Sequence, residues 1–362
     1  MKILIVDDSV VFRTQITNAL AAVPGVEIVG TASNGRIALQ RISQQPVELM
    51  TLDMEMPELD GMETLKILRA QNKDIKVIVF SSQTVRGAEK ALEALRAGAD
   101  DVVAKPSGDN LNFETALDAV KTALVPKVLQ FMEKKTEAST PRESQSQKPT
   151  VSEPIKTKES FNDQKKLDLR ATNPKAIVIA SSTGGPTALE AIFSKIPGPY
   201  KIPVLIAQHM PPVFTQILAK RIGDLTGVPS REAVHGEAIQ PNNIYFAPGD
   251  YHLRIQKMNS FYFTHLAKDD LRNSVRPSAD YLFESAAETY QKNLLGVILT
   301  GMGEDGKDGA KAIKRAEGGI LLQNKESCTV YGMPRAAFDA GAYDQTSDLD
   351  GIRDLLTHFL KG

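Results

Sequence analysis

Short β-branched runs alternate with helical patterns twice along this chain, and a polar interval separates the two series. In the first series KILIV, EIVG, VELMTLD, KVIVF and DVVA are each followed by a helical stretch. Parallel strands cannot be joined by tight turns, so strand-then-helix units in succession imply a parallel sheet with right-handed crossovers and helices on both faces. Residues 1–123 are therefore expected to form a doubly wound α/β domain with a five-stranded sheet. Residues 124–173 turn to Lys, Glu, Ser, Thr, Gln and Pro with little to bury, which reads as a flexible polar linker. Its first stretch, VLQFMEKK, can extend the preceding helix. From 174 to 362 the alternation returns in AIVIASS, IPVLIAQH and LLGVILT, with helices expected from Pro186, Val213 and Gly306. A second α/β domain with a mainly parallel sheet follows, and the short strands and turns between Arg231 and Leu266 read as a β-hairpin edge.

With 43 basic and 44 acidic side chains among 362 residues, no overall field draws the chain to nucleic acid or anionic lipid. Neither a helix-turn-helix nor a basic recognition patch is legible. The opening MKILIVDDSVVFR sets two aspartates where a secretory signal needs its apolar centre, and no segment approaches a membrane span. A cytoplasmic protein without membrane insertion is the expectation. The single cysteine, Cys328, excludes an intrachain disulfide and a multi-cysteine zinc site, and reads as a small buried side chain.

Asp7 and Asp8 end the first strand, Asp53 the third, Ser81 the fourth and Lys105 the fifth, and in a doubly wound sheet those ends meet at one rim. Crowded carboxylates repel one another, and a hard divalent cation relieves that repulsion, Mg2+ being the natural occupant. The cation and Lys105 would neutralise charge as an Asp53 oxygen attacks a phosphoryl donor, with the Ser81 hydroxyl available to the new phosphoryl oxygens. Any one of these residues alone reads as a strand-end turn or a solvated charge. Their joint placement makes Asp53 the candidate phosphoacceptor. VDDS, LDMEMPELDG and AKP, in that order, resemble the response-regulator receiver family. The resemblance implies a flavodoxin-like fold, with Asp8, Asp53 and the backbone carbonyl of Glu55 ligating the metal and Asp7 acting through water. Receivers commonly carry an aromatic switch residue three positions before the lysine; this chain has Val102, which leaves coupling to Ser81 and its loop.

In the second series Ser182 follows AIVIAS and precedes Thr183, Gly184 and Gly185, a strand-to-helix turn that exposes a hydroxyl at the sheet rim. Taken alone, this serine fits a helix cap equally well. His209 ends the next strand and Asp305 follows LLGVILT, so the three can converge as nucleophile, general base and orienting carboxylate. ASSTGGP, QHMPPVFT, RPSADYLF, LTGMGEDG and SCTVYGMPRA together resemble the catalytic domain of the CheB chemotaxis methylesterases. The resemblance implies a Ser182, His209, Asp305 triad, with backbone amides of Thr183 or Met302 as oxyanion donors. The family usually has Gly-Ala before the serine where Ala180 and Ser181 stand, which leaves Ser181 as a rival nucleophile. It further implies a phosphorylation-activated hydrolase that demethylates glutamate methyl esters on chemoreceptors and deamidates glutamines. A sensor histidine kinase would be the phosphodonor and a methyltransferase the opposing enzyme, with no cofactor in the hydrolase site.

Two other readings compete. Gly301-x-Gly303-x-x-Gly306 matches a dinucleotide fingerprint, with Glu326 about twenty residues on, and points to a nucleotide-binding oxidoreductase. A receiver joined to a non-catalytic interaction module is the third. RPSAD reads as a helix start rather than as a substrate-binding arginine at Arg276, and Arg335 is a weak site candidate.

Overall fold

The structure is a computed structural model that describes residues 1–71, 74–106, 112–139 and 166–362, without the side chains of 133–139. Most of the expected linker, 140–165, lies outside the described residues.

Strands β1 (Lys2–Val6), β2 (Glu27–Ala32), β3 (Leu49–Asp53), β4 (Lys76–Ser81) and β5 (Asp101–Ala104) pair in parallel in the order β2-β1-β3-β4-β5. Helices α1 (Val10–Ala21), α2 (Gly35–Gln44), α3 (Gly61–Ala70) and α4 (Val85–Arg96) make the crossovers, and α5 (Phe113–Ser139) follows β5. Short polar side chains set the helix starts: Ser9, Asn34 and Thr84 accept from the Phe12, Ile37 and Gly87 amides. Asp60 and Glu63 form a reciprocal capping box. Each cap relieves first-turn N–H groups that have no partner within their own helix. Strands β1, β3 and β4 are apolar and buried, as a sheet covered on both faces requires. The strand order reverses between β1 and β3, so Asp7 and Asp53 flank the crevice where such sheets bind ligands. Helix α5 carries on through VLQFMEKK, with Pro126 inside it.

The second sheet contains β6 (Ala176–Ser181), β7 (Val204–Gln208), β8 (Ser230–Glu232), β9 (Ile244–Phe246), β12 (Leu294–Ile298), β13 (Gly319–Gln323) and β14 (Gln345–Ser347). The order is β14-β13-β12-β6-β7-β9-β8, and every pairing is parallel. Helices α6 (Gly185–Phe193), α7 (Phe214–Thr226), α8 (Ala279–Tyr290), α9 (Lys307–Arg315), α10 (Met333–Asp339) and α11 (Leu349–Lys361) cover it. The hairpin of β10 (His252–Met258) and β11 (Phe261–Ala267) stands beside this sheet as its own two-stranded ribbon. It is tied to α8 where the Ile255 amide donates to Ser285 Oγ at 3.0 Å. Central strand β6 is buried at every residue, and each large aliphatic side chain there contributes about 1.5–3 kcal/mol to the core. The strand order reverses again between β6 and β12, which marks the second ligand crevice.

The two α/β units meet along α4, β5 and α5. Arg96 of α4 reaches Glu190 of α6 at 3.4 Å, and Val330 sits in one apolar cluster with Leu124, Val128 and Phe131 of α5. Thr183 donates through Oγ1 to Asp101 Oδ2 at 2.5 Å, and Lys127 reaches the same carboxylate at 2.7 Å. A carboxylate of the first unit thus rests on the residue after Ser182.

Candidate active site

Ser182 leaves β6 at the second crevice. Its amide donates to Thr300 O at 3.0 Å, drawing the loops after β6 and β12 together. Gly184 turns the chain into α6 with φ 77°, and a Cβ there would lie 2.6 Å from the Thr329 Cβ, so only glycine fits. His209 follows the adjacent strand, with its amide bonded to Ser181 O at 3.0 Å, so Ser182 and His209 emerge at the same carboxyl edge. Gln208 locks this arrangement. It accepts from Ser181 Oγ at 2.6 Å and donates through Nε2 to Ser182 O at 3.0 Å. Ser181 is therefore fully buried and turned into the core, whereas Ser182 keeps 9% exposure. The Ser181 hydroxyl is thus committed to Gln208, and the Ser182 hydroxyl is not.

His209 Nε2 lies 2.7 Å from Asp305 Oδ2. Asp305 is buried and also accepts from Ser278 Oγ (2.6 Å), Asn273 Nδ2 (3.0 Å) and the Ala279 and Asp280 amides (2.6 and 3.3 Å). Burial by itself would raise this carboxyl, but His209, Ser278 and the Ala279 amide overcome it and hold Asp305 well below the usual carboxylate range. The N-terminus of α8 thus holds the carboxylate that orients the imidazole, a favourable place for negative charge. RPSAD does start a helix, as expected. The Ser278 hydroxyl nevertheless turns to Asp305 instead of capping α8. Asp280 backs the arrangement: its carboxylate accepts from Gly309 N (2.7 Å) and Asn273 Nδ2 (2.9 Å). Burial and the Asp305 charge push Asp280 up, to about 6.

With Nε2 engaged by Asp305, Nδ1 is the ring nitrogen left for a hydroxyl. Among the described residues Ser182 Oγ makes no hydrogen bond, and neither the Thr183 nor the Met302 amide has an acceptor. Catalytic hydrogen bonds of this kind often tighten only when substrate is bound. The edge therefore offers a partly exposed hydroxyl, an oriented imidazole and backbone N–H groups beside it.

At the first crevice, Lys105 Nζ lies 2.8 Å from both Asp7 Oδ2 and Asp53 Oδ2. Burial works against the ammonium, yet the two carboxylates raise its pKa above the ordinary value. Asp7, Asp8 and Asp53 offer oxygens within 4.8 Å of one another, a hard donor set that suits a divalent cation. The Glu55 amide donates to Asp53 Oδ1 at 3.3 Å, while the Glu55 side chain pairs with Lys90. Ser81 Oγ donates to Gly87 O at 2.7 Å, so it points along the β4–α4 loop. Val102 is buried in β5. Burial, then the Asp7 charge, push Asp53 from the ordinary 3.8 to about 6 despite Lys105. A carboxyl raised on folding stabilises the fold relatively at low pH and loses that contribution as pH rises through about 6. In EDTA, Asp53→Asn should accordingly raise the thermal midpoint at pH 7.5, by an amount equivalent to about 1–3 kcal/mol, and change it little near pH 4. Scanning calorimetry at the two pH values checks this, and equal midpoints at pH 7.5 would count against a repelled carboxylate.

The first glycine of the dinucleotide-like spacing, Gly301, is packed between the loops around Ser182 and the start of α10. A Cβ on Gly301 would lie 2.3 Å from Met333 Sδ and 2.8 Å from Ser182 Cβ, and Gly301 O accepts from the Gly332 and Met333 amides. Arg276 is engaged by Asp250 at 2.5 Å, a structural ion pair. Cys328 is buried, with its thiol directed to Gln323 O at 3.9 Å. Sequence reasoning missed Gln208, Asn273, Ser278, Asp280 and Thr300, because each acts through a partner far away along the chain.

The folds and edges described here define a two-domain response regulator whose second domain carries a Ser, His and Asp edge. A CheB methylesterase family model matches residues 177–356 and a response regulator receiver domain model matches residues 3–116. Protein-glutamate methylesterase/protein-glutamine glutaminase of Trichodesmium erythraeum is 37% identical over 353 residues, 98% of this chain and 97% of that protein. The like-named protein of Halalkalibacterium halodurans is 37% identical over 361 residues, covering 100% and 99%. The crystal structure of the Thermotoga maritima CheB methylesterase catalytic domain matches with TM-score 0.50 and 39% identity, over 51% of this chain and 98% of that one. The chain belongs to the CheB methylesterase family, with a receiver domain in front of the methylesterase domain.

Proposed function

We propose that this chain is a phosphorylation-activated serine hydrolase that removes methyl groups from glutamyl methyl esters on chemoreceptors and deamidates selected glutamines. The observation that carries the chemistry is the His209–Asp305 pair, 2.7 Å apart, at the strand edge where Ser182 keeps 9% exposure. Ser182 Oγ attacks the side-chain ester carbonyl as His209 Nδ1 takes its proton, with Asp305 stabilising the imidazolium. The backbone amide of Thr183 or of Met302 receives the oxyanion. The proton passes to the leaving methoxide, which departs as methanol; water then gives His209 a proton and releases glutamate from the acyl-enzyme. With a glutaminyl amide the leaving group is ammonia. Methanol release from a methylated receptor, with and without a phosphodonor, tests the reading, and an absence of methanol in both would end it.

At the receiver edge, the acidic cluster fits a magnesium ion held by Asp8, Asp53 and the Glu55 carbonyl, with Asp7 acting through water. Bound there, the ion supplies charge neutralisation for phosphoryl transfer. Asp53 accepts the phosphoryl group, Lys105 neutralises charge on it, and Ser81 swings from Gly87 to follow it. Domain limits of 1–123 and 174–362 around a polar linker fit this division of labour. A sensor histidine kinase as donor, an opposing methyltransferase and a cytoplasmic site of action complete the proposal. Among the described residues no helix is long and apolar enough to cross a membrane.

Regulation runs through the seam. Asp101 holds Thr183, next to the nucleophile, and phosphorylation must favour an arrangement that releases it. Asp101→Ala should raise the unphosphorylated rate by roughly ten-fold and leave the phosphodonor-stimulated rate nearly unchanged, since couplings of this kind lie in the range of about 5–150-fold. Steady-state methanol release from both states checks it. An unchanged basal rate would remove Asp101 from the control mechanism.

A further inference from the structure

The loop before α8 makes a tight turn beside the active site. Arg272 and Val275 exchange both main-chain hydrogen bonds, at 3.3 and 3.1 Å, and the residues between them, Asn273 and Ser274, are left-handed with φ 53° and 63°. Asparagine is one of the few residues besides glycine that adopt this conformation readily, so the turn can carry a working side chain at its first corner. Arg272 pins the root of the turn to α8, with Nη1 and Nη2 each 2.7 Å from a Glu284 carboxylate oxygen and Nε 3.4 Å from Asp280 Oδ2. Asn273 itself is exposed, yet its Nδ2 donates inward to Asp280 Oδ2 at 2.9 Å and to Asp305 Oδ1 at 3.0 Å. A primary amide nitrogen has two protons, one for each acceptor. Both carboxyl groups are only 1% exposed, and neighbouring buried carboxylates repel one another unless donors satisfy them. Ser278 and the Ala279 and Asp280 amides also donate to Asp305, but they belong to the start of α8. Asn273 alone among these donors binds the neighbouring carboxylate as well.

We propose that Asn273 is a positioning residue for the hydrolysis: it bridges Asp305 and Asp280 at the rim of the crevice and so fixes the carboxylate that orients His209, with Asp280 and Arg272 as its supports. Its kinetic consequence rests on the esterase reading, whereas its effect on the His209–Asp305 bond can be read without turnover. The turn supplies the rigidity. Arg272 anchors it at one end, and the left-handed corner aims the amide without a long side chain to order. Asp280 has its other oxygen on the Gly309 amide at 2.7 Å, so the bridge is held from α9 too. Removing the amide leaves two carboxylates facing each other with one donor fewer for each. Asp305 then has latitude to rotate, and the imidazole with it.

The test uses the full chain activated with beryllofluoride and Mg2+, assayed on a methylated chemoreceptor cytoplasmic fragment, together with the downfield proton resonance of the His209 Nε2–H···Asp305 bond. Asn273→Gly keeps the left-handed turn and removes only the amide. It should lower kcat about 30-fold with KM within about two-fold, and the downfield resonance should be lost or moved upfield. The thermal midpoint should stay within about 2 °C, because the side chain is exposed. Asn273→Asp fits the same turn but sets a third carboxylate against two, so kcat should fall by about 100-fold or more. Ser274→Gly, at the other corner, should leave kcat within about two-fold and the resonance in place. An unchanged kcat and resonance in Asn273→Gly would overturn the positioning role, and an equal loss in Ser274→Gly would assign the effect to the turn instead of the amide. If wild type releases no methanol, the esterase reading has failed. The resonance still decides the rest: its survival in Asn273→Gly overturns the bridge, and its loss supports it.

Discussion

Ser182→Ala should lower methanol release from methylated receptor by roughly 10⁴-fold or more, because the members of a nucleophile, base and carboxylate set act as a unit. The substitution deletes an oxygen that makes no hydrogen bond among the described residues, at a side chain already mostly buried. The fold should therefore survive it, and the thermal midpoint should move by no more than a degree or two, as for a small surface change of about 0.5 kcal/mol. Loss of turnover with an unchanged midpoint is the expected pairing. Ser181→Ala offers the contrast. Ser181 is bonded to Gln208 and turned inward, so its loss should weaken the fold while leaving turnover within about ten-fold, by way of a slightly displaced loop. Retention of activity in Ser182→Ala, or its loss in Ser181→Ala alone, would reassign the nucleophile.

Asp305→Asn is expected to be nearly as damaging, for a reason specific to this site. Oδ1 accepts from Asn273, Ser278 and the Asp280 amide, and Oδ2 from His209 and the Ala279 amide. An amide nitrogen set in either position meets a backbone N–H that cannot turn away. The carboxamide also invites the wrong tautomer of His209, leaving a proton on the nitrogen that should receive one. Turnover should fall by about 10⁴-fold. Stability should fall as well, by about 1–3 kcal/mol for the unsatisfied donor. Kinetics and calorimetry on the same preparation separate the two effects. Activity within about ten-fold of wild type would show that this carboxylate is structural only.

Much of the architecture was legible before any coordinates. Strand-then-helix alternation predicts parallel sheets because crossovers leave no other economical solution, and both sheets are parallel in every pairing. Asp7, Asp53, Lys105, Ser182 and His209 could be placed at strand ends because a strand end is a local property, readable from where an apolar run stops. The same local logic gave the glycines of 301–306 a fingerprint by spacing, where the fold uses Gly301 to pack against Met333 and Ser182. It also read Ser278 as a cap, where the hydroxyl serves Asp305.

The amino-acid sequence by itself determined the two α/β units, the polar interval between them and the rims on which chemistry-bearing residues sit. Those features follow from hydrophobic period, turn residues and chain connectivity, which act over a few residues at a time. The tertiary structure alone decided which oxygen of two adjacent serines faces outward, which ring nitrogen of His209 is left open, and that Asp101 rests on Thr183. Each of those depends on a hydrogen bond between residues 27 to 96 positions apart, and a hydrogen bond has direction as well as reach. Sequence pattern carries the reach only after folding has supplied the direction.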